Sequence, residues 1–148
     1  MFYIKSLNVS YGESEVINSL DLELQKGEIL AVMGRNGMGK TTLFKSLIGI
    51  LGCGSGSSIK IDDTELASEP SFQRVRKGLA YVPQGRMIFP NMTVTDNIRT
   101  GLDSSEEKEV PDYVYELFPV LKEMGKRKGG NVSGGQQQQL AIARALVT

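Results

Sequence analysis

One octapeptide constrains this chain more than anything else in it. Gly34-Arg35-Asn36-Gly37-Met38-Gly39-Lys40-Thr41 fits G-x-x-x-x-G-K-[ST] in full. A short apolar run, Ile29-Leu30-Ala31-Val32-Met33, precedes it and reads as a strand buried on both faces of a parallel sheet. A helix from near Gly39 or Lys40 follows, with Leu43, Leu47 and Ile48 at core spacing and an end near Gly49. Glycines let the backbone wrap closely around an anion with several N–H groups pointing inward. The helix presents its positive N-terminus to the same group. Lys40 supplies a mobile cation for the terminal phosphates, and the Thr41 hydroxyl is placed for Mg²⁺. The ordinary alternative is a glycine-rich turn with a solvated lysine. A chance match in a chain this long has odds on the order of one in a hundred or less, and the strand and helix on either side lower them. The residues therefore read as a nucleoside triphosphate site, with the backbone amides from Asn36 to Thr42 gripping the polyphosphate.

The rest of the chain fits an α/β arrangement. Phe2, Ile4, Leu7 and Val9 alternate loosely, and Tyr11-Gly12 marks a turn. Val16 to Gln25 reads as a second strand, with Leu20, Leu22 and Leu24 on one face and Asp21 and Glu23 on the other. Gly52 to Ser58 is a flexible connection. Ile59 and Ile61 suggest a short strand with Lys60 turned to solvent, and Gly78 to Val82 a buried strand broken by Pro83. From about residue 93 the character turns helical. Thr93, Asp112 and Ser133 sit at N-cap positions, and Pro90, Pro111 and Pro119 punctuate the gaps. No internal repeat is evident.

Composition removes whole classes of chemistry. The 148 residues contain no histidine, which excludes Ser-His-Asp and Cys-His nucleophile systems and histidine-ligated metals within this stretch. Cys53 is the single cysteine, so neither an internal disulfide nor a Cys-rich zinc site is available, and a reducing, cytosolic setting is expected. Lys plus Arg and Asp plus Glu both total 17, which leaves no electrostatic footprint for wrapping nucleic acid. Phe2-Tyr3-Ile4 is interrupted by Lys5, so no signal-type run starts the chain. The longest uncharged stretches are full of Gly, Ser and Gln and do not suit a bilayer span.

A second helix start is also ready for an anion. Ser133-Gly134-Gly135-Gln136 opens the last helix, which continues through Leu140, Ile142, Ala143 and Leu146. Ser-x-x-Gln is a capping box, in which Ser133 and Gln136 satisfy backbone N–H groups reciprocally. That does not explain paired glycines, each costing up to about 1 kcal/mol in a helix relative to alanine. They make sense where another molecule approaches the backbone. One nucleotide does not need both helix starts from one chain, unless two sites face each other across a dimer.

Together, the phosphate loop and Ser133-Gly134-Gly135-Gln136 resemble the ATP-binding subunit of an ABC transporter, over essentially the whole chain. The resemblance implies a P-loop NTPase fold with an N-terminal antiparallel β-subdomain, a truncated parallel RecA-like core and a helical subdomain. Residues 1–33 would be mainly the β-subdomain and core strand, 34–92 the core up to the glutamine loop, and 93–148 the helical subdomain with the signature helix. The resemblance further implies that the signature of one subunit closes over ATP held by its partner's phosphate loop. Tyr11 matches the aromatic that stacks on adenine, and Gln84, after Val82-Pro83, the glutamine that contacts Mg²⁺ and the attacking water. Taken alone, these two read as a turn aromatic and a loop residue. Val132 replaces the leucine most often found before the signature serine. Gly85-Arg86-Met87-Ile88-Phe89-Pro90 and the run Gln136 to Leu146 are most similar to the ATPase subunits of urea and short-chain amide importers, beside those of branched-chain amino acid importers. Transmembrane permease subunits and a peripheral place on the cytoplasmic face of the inner membrane are implied with them.

The family pattern continues with an apolar strand ending in Asp and Glu, then a switch histidine, and none of these occurs in the 148 residues. The resemblance thus implies the front portion of a cassette, hydrolytic only in full-length, dimeric form. Two features have more than one reading. Lys126-Arg127-Lys128 is a solvated turn or a minor aid to phosphate binding, and Met87-Ile88-Phe89 is core or a docking patch for a membrane partner. Cys53 is an idle thiol. Competing readings of the whole are a small P-loop kinase, an ABC ATPase acting on DNA or the ribosome, and a non-catalytic nucleotide-binding fragment.

Overall fold

The computed structural model describes residues 1–104, 107 and 109–148. These form two compact units, Met1–Lys77 and Gly78–Thr148.

The first unit is built on an antiparallel sheet of order β2-β1-β3-β4. Strand β1 (Phe2–Tyr11) and strand β2 (Ser14–Leu24) form a hairpin closed at Gly12, whose φ of 59° suits a residue without a Cβ. The predicted alternation holds along β2, where Asp21 and Glu23 are exposed and Leu20, Leu22 and Leu24 are half-buried. Strand β3 (Ser58–Ile61) lies on the other side of β1, with Ile59 opposite Ile4, and β4 (Thr64–Glu65) completes the edge. Ile59 is fully buried and Lys60 faces solvent, as predicted. Ile4, Leu7, Val9, Ile59 and Leu66 are buried in this unit, and so are Leu43 from helix α1 (Lys40–Leu47) and Ile48, its C-cap.

The Glu65 side chain closes the β3–β4 turn. It accepts from the Ser58 hydroxyl and from the backbone N–H groups of Ile59, Leu66 and Ala67. Burial pushes this carboxyl up, but the four donors outweigh it and hold it below its ordinary value. A short helix α2 (Ser71–Arg76), unforeseen from sequence, ends the unit.

Two predicted strands are not strands. Ile29–Met33 is in no sheet, and Ile29 and Met33 are 98% and 89% exposed. Leu79–Val82 is likewise unpaired, with Ala80 exposed. An interior parallel strand needs hydrogen-bonded neighbours on both sides, and among the described residues every named strand pair is antiparallel.

The second unit is helical, as predicted from residue 93 onward, except that residues 105, 106 and 108 of that block lie outside the described residues. Helices α3 (Val94–Arg99), α4 (Asp112–Leu117), α5 (Pro119–Glu123) and α6 (Gly134–Leu146) enclose a core of Val94, Ile98, Leu102, Val114, Leu121, Val132, Leu140, Ala143 and Val147. Thr93 caps α3 as predicted, accepting from the Asp96 N–H at 3.0 Å. Asp112 is not a cap. Pro111, with φ of −59° and extended ψ, occupies that place and its carbonyl accepts from Val114 at 3.1 Å, so Asp112 falls in the first turn. There its charge still complements the helix dipole. Gly101 allows the end of α3 to approach α6: a Cβ there would lie 2.2 Å from the Arg144 carbonyl oxygen. No helix among the described residues is long and apolar enough to cross a membrane.

Candidate nucleotide-binding site

In the first unit, the phosphate loop bends through Gly37 and Gly39, with φ of 84° and 82°. Those values lie in the left-handed region that glycine adopts without penalty. Gly39 is doubly required, because a Cβ on it would meet Val16 Cγ1 of β2 at 3.1 Å. The loop is thereby seated against the β1–β2 hairpin, close in sequence to the tip that carries Tyr11. Tyr11 pairs with Ser14 across that tip and is 48% exposed.

Helix α1 begins immediately after Gly39 with no side-chain cap. Its first intrahelical bond runs from the Leu43 N–H to the Gly39 carbonyl at 2.8 Å. The N–H groups of Lys40, Thr41 and Thr42 belong to the first turn, where a helix leaves donors without partners of its own. Lys40 folds back and its Nζ donates to the carbonyls of Gly34 at 2.6 Å and Arg35 at 2.7 Å. The ammonium is thus held over the loop by two carbonyl oxygens, where an anion entering the loop would meet it. Asn36, Met38 and Thr41 are exposed and Thr42 is buried, which anchors the turn beneath. This donor set fits a polyphosphate: first-turn backbone N–H groups, one helix dipole and the Lys40 ammonium, without a carboxylate in the octapeptide to repel it.

The far end of α1 is fixed by a residue that sequence reasoning missed. Arg74 of α2 is 2% exposed and donates to the carbonyls of Ser46, Leu47, Ala67 and Glu69 at 2.7–2.8 Å. It neutralises the negative end of the helix and satisfies carbonyls that lack intrahelical partners. No spacing rule marks it, because its partners are all backbone atoms.

The second unit carries the other predicted residues. Gln84 is exposed at the centre of a turn in which the Arg86 N–H donates to the Pro83 carbonyl at 3.1 Å. The segment that follows the turn is tied down by Asn97, fully buried in α3. Its Oδ1 accepts from the Phe89 N–H at 2.7 Å and its Nδ2 donates to the carbonyls of Phe89, Met92 and Thr93. The signal available in sequence was a polar residue three positions after Val94 and one before Ile98, on an otherwise apolar helix face. The Met87-Ile88-Phe89 run divides. Ile88 packs against the core, while Met87 is 67% and Phe89 47% exposed, with the Arg144 guanidinium 5.3 Å from the Phe89 ring. Burial pushes the Arg144 guanidinium below its ordinary value. Lys126, Arg127 and Lys128 are all exposed, consistent with a solvated turn.

The start of α6 carries the full capping box. The Gln136 N–H donates to the Ser133 hydroxyl at 3.4 Å, and the Ser133 N–H donates to Gln136 Oε1 at 2.8 Å. A Cβ on Gly135 would meet nothing within 4 Å, so that face is open. Among the described residues no group of three or more His, Cys, Asp or Glu side chains is placed to hold a metal ion.

Comparison with known proteins agrees with this geometry. The ABC transporter family matches residues 17–148. The high-affinity branched-chain amino acid transport ATP-binding protein BraG of Pseudomonas aeruginosa is 39% identical, covering 100% of this chain and 64% of its own length. A probable branched-chain amino acid transport ATP-binding protein, LivF, of Archaeoglobus fulgidus is also 39% identical, covering 95% and 61%. The spermidine/putrescine import ATP-binding protein PotA of Haemophilus influenzae is 36% identical, covering 97% and 39%. Among solved structures, a nucleotide-free ATP-binding cassette from an ABC transporter superposes with a TM-score of 0.81 at 21% identity, covering 99% of this chain and 64% of that one. A dimeric bacterial ABC transporter cassette gives 0.80 at 22%, covering 99% and 69%. The chain thus spans somewhat under two thirds of the length of the first two relatives. The kinase reading falls with these matches. This chain belongs to the ABC transporter family and has the fold of its ATP-binding cassette.

Proposed function

We propose that this chain is the nucleotide-binding part of the ATPase subunit that energises an ABC importer for a small polar solute. The solute class is urea, a short-chain amide or a branched-chain amino acid. The transport names of the 39%-identical relatives support the last of these, and the Gly85–Pro90 and Gln136–Leu146 motifs support the first two. The observation that carries the reading is the bare, glycine-built start of α1 with Lys40 folded over it.

Asn36 to Thr42 bind the phosphates through backbone N–H groups, Lys40 moves from its own loop's carbonyls to the terminal phosphates, and Tyr11 stacks on adenine. Thr41 and Gln84 would hold Mg²⁺, which supplies charge neutralisation at the terminal phosphates. Ser133, Gly134, Gly135 and Gln136 close over the nucleotide of a second ATP-binding subunit. Permease subunits carry the solute, and the ATPase sits on the cytoplasmic face of the inner membrane. Residues 1–33, 34–92 and 93–148 serve as β-subdomain with core strand, nucleotide core and helical subdomain. Turnover requires the dimer, together with the apolar run ending in Asp-Glu and the switch histidine that the resemblance implies and that these 148 residues do not contain.

Calorimetry with Mg-ATP and phosphate release from the full-length protein test this directly. Lys40→Ala lowers turnover by roughly 100-fold, the scale of losing one group aimed at developing charge. Unchanged turnover in that variant, or no magnesium-dependent ATP uptake by the wild type, refutes the reading.

A further inference from the structure

The turn that follows Gln84 is fastened to α6 by side chains from both sides. Arg86 Nη1 donates to Gln137 Oε1 at 2.9 Å, and Gln137 Nε2 in turn donates to the carbonyls of Val132 at 3.3 Å and Gly129 at 3.4 Å. The same guanidinium lies about 3.5 Å from where a Cβ on Gly134 would stand. From further along the helix, Arg144 Nη2 donates to the Arg86 carbonyl at 3.4 Å while its guanidinium covers the Phe89 ring. Between these fixings the backbone passes through three consecutive left-handed residues, Gly85, Arg86 and Met87, with φ of 87°, 66° and 47°. Arginine and methionine rarely adopt that region and keep it only where their surroundings impose it. The imposing groups include those of α6. A cation beside the positive end of a helix is not attracted by the dipole, so the bond to Gln137, rather than the field of α6, holds Arg86 in place.

We propose that Arg86 is a positioning residue. Acting through Gln137, it locks the Gln84 turn to the first turns of α6. The Gln84 side chain and the Ser133-Gly134-Gly135 amides then keep one fixed geometry within each subunit. This rests on the nucleotide reading above only for its consequence; the lock itself is a property of residues 84–89 and 133–144. Its strength comes from a charge-assisted bond in which a fixed guanidinium plane meets an amide oxygen. A glutamate at 137 would keep the acceptor for the guanidinium but lose the N–H donors to the Val132 and Gly129 carbonyls.

The experiment uses the full-length protein and reads amide hydrogen exchange in segments 84–89 and 133–137. Arg86→Ala and Gln137→Ala each raise exchange in both segments, by about 10-fold for loss of one such bond, whereas Gln137→Glu, which keeps the acceptor for Arg86, leaves segment 84–89 protected. In parallel, Arg86→Ala lowers turnover about 10-fold while Mg-ATP affinity stays at the wild-type value. Exchange that rises only in the mutated segment, or Mg-ATP affinity and turnover falling together, overturns the proposal. Gln137→Ala gives the same reading independently should Arg86→Ala fold poorly. A coupled rise in exchange with no Mg-ATP binding by the wild type would leave the lock standing and refute the nucleotide reading instead.

Discussion

Helices α1 and α6 both begin at glycines, yet they treat their first-turn amides in opposite ways. At α1 no side chain caps the start, and the nearest charge, Lys40, is spent on the carbonyls of Gly34 and Arg35. At α6, Ser133 and Gln136 satisfy each other's backbone N–H groups. The fixing of each helix is reversed as well. Helix α1 is held at its far end by Arg74, whereas α6 is held along its body, where Gly101 admits it to the core of the second unit. A helix start left free of its own cap needs an anchor elsewhere. A start that caps itself is stable alone, and must share or exchange those bonds if an anion is to join it.

The sharpest way to break this comparison is at the α1 anchor. Arg74→Ala removes its bonds to four carbonyls, of which that of Ser46 keeps the Gly49 N–H, and urea unfolding should show a loss of about 3 kcal/mol. A loss under about 1 kcal/mol would mean that α1 does not depend on that anchor. At α6, Gly101→Ala places a methyl against the Arg144 carbonyl and Val147 Cγ2 and is expected to cost about 2 kcal/mol through overpacking. Full retention of the melting temperature would deny the close approach.

The capping box gives a finer test. Ser133→Ala costs about 1 kcal/mol of stability. Ser133→Asp restores the cap and the melting temperature, because aspartate caps as well as serine, yet its charge repels a phosphate and lowers turnover of the full-length dimer at least about 10-fold. Equal turnover in the two variants would show that the α6 start serves only its own helix. The smallest effect is acid-dependent. Glu65 has its folded-state value held below the ordinary 4.5, so its contribution is complete above that value and is lost as pH falls through the lower, folded one. Stability of the wild type therefore declines more steeply below about pH 4.5 than that of Glu65→Gln, as urea midpoints measured across that window would record.

The phosphate loop, the hairpin alternation and the Ser133 and Thr93 caps were legible in the sequence because each depends on residues a few positions apart. Arg74, Asn97 and the Arg86–Gln137 bond were not, since their partners lie between 4 and 51 positions away or are plain backbone carbonyls, which carry no residue type. Asp112 was misplaced by one residue because Pro111 fills the cap position with backbone geometry rather than a side chain. Ile29–Met33 and Gly78–Val82 show the limit from the other side. Apolar continuity marks a segment fit for an interior strand, but only neighbouring strands make it one.

By itself, then, the order of residues determined where a glycine-built loop stands, which helix it feeds and which family the chain resembles. Those properties are local, set by glycine torsions, a dipole and a nearby charge. Only the tertiary structure decided which side chains hold each helix, and that the turn after Gln84 is bound to α6. Such contacts depend on chain closure, which brings distant residues within hydrogen-bond reach and which no short window of sequence encodes.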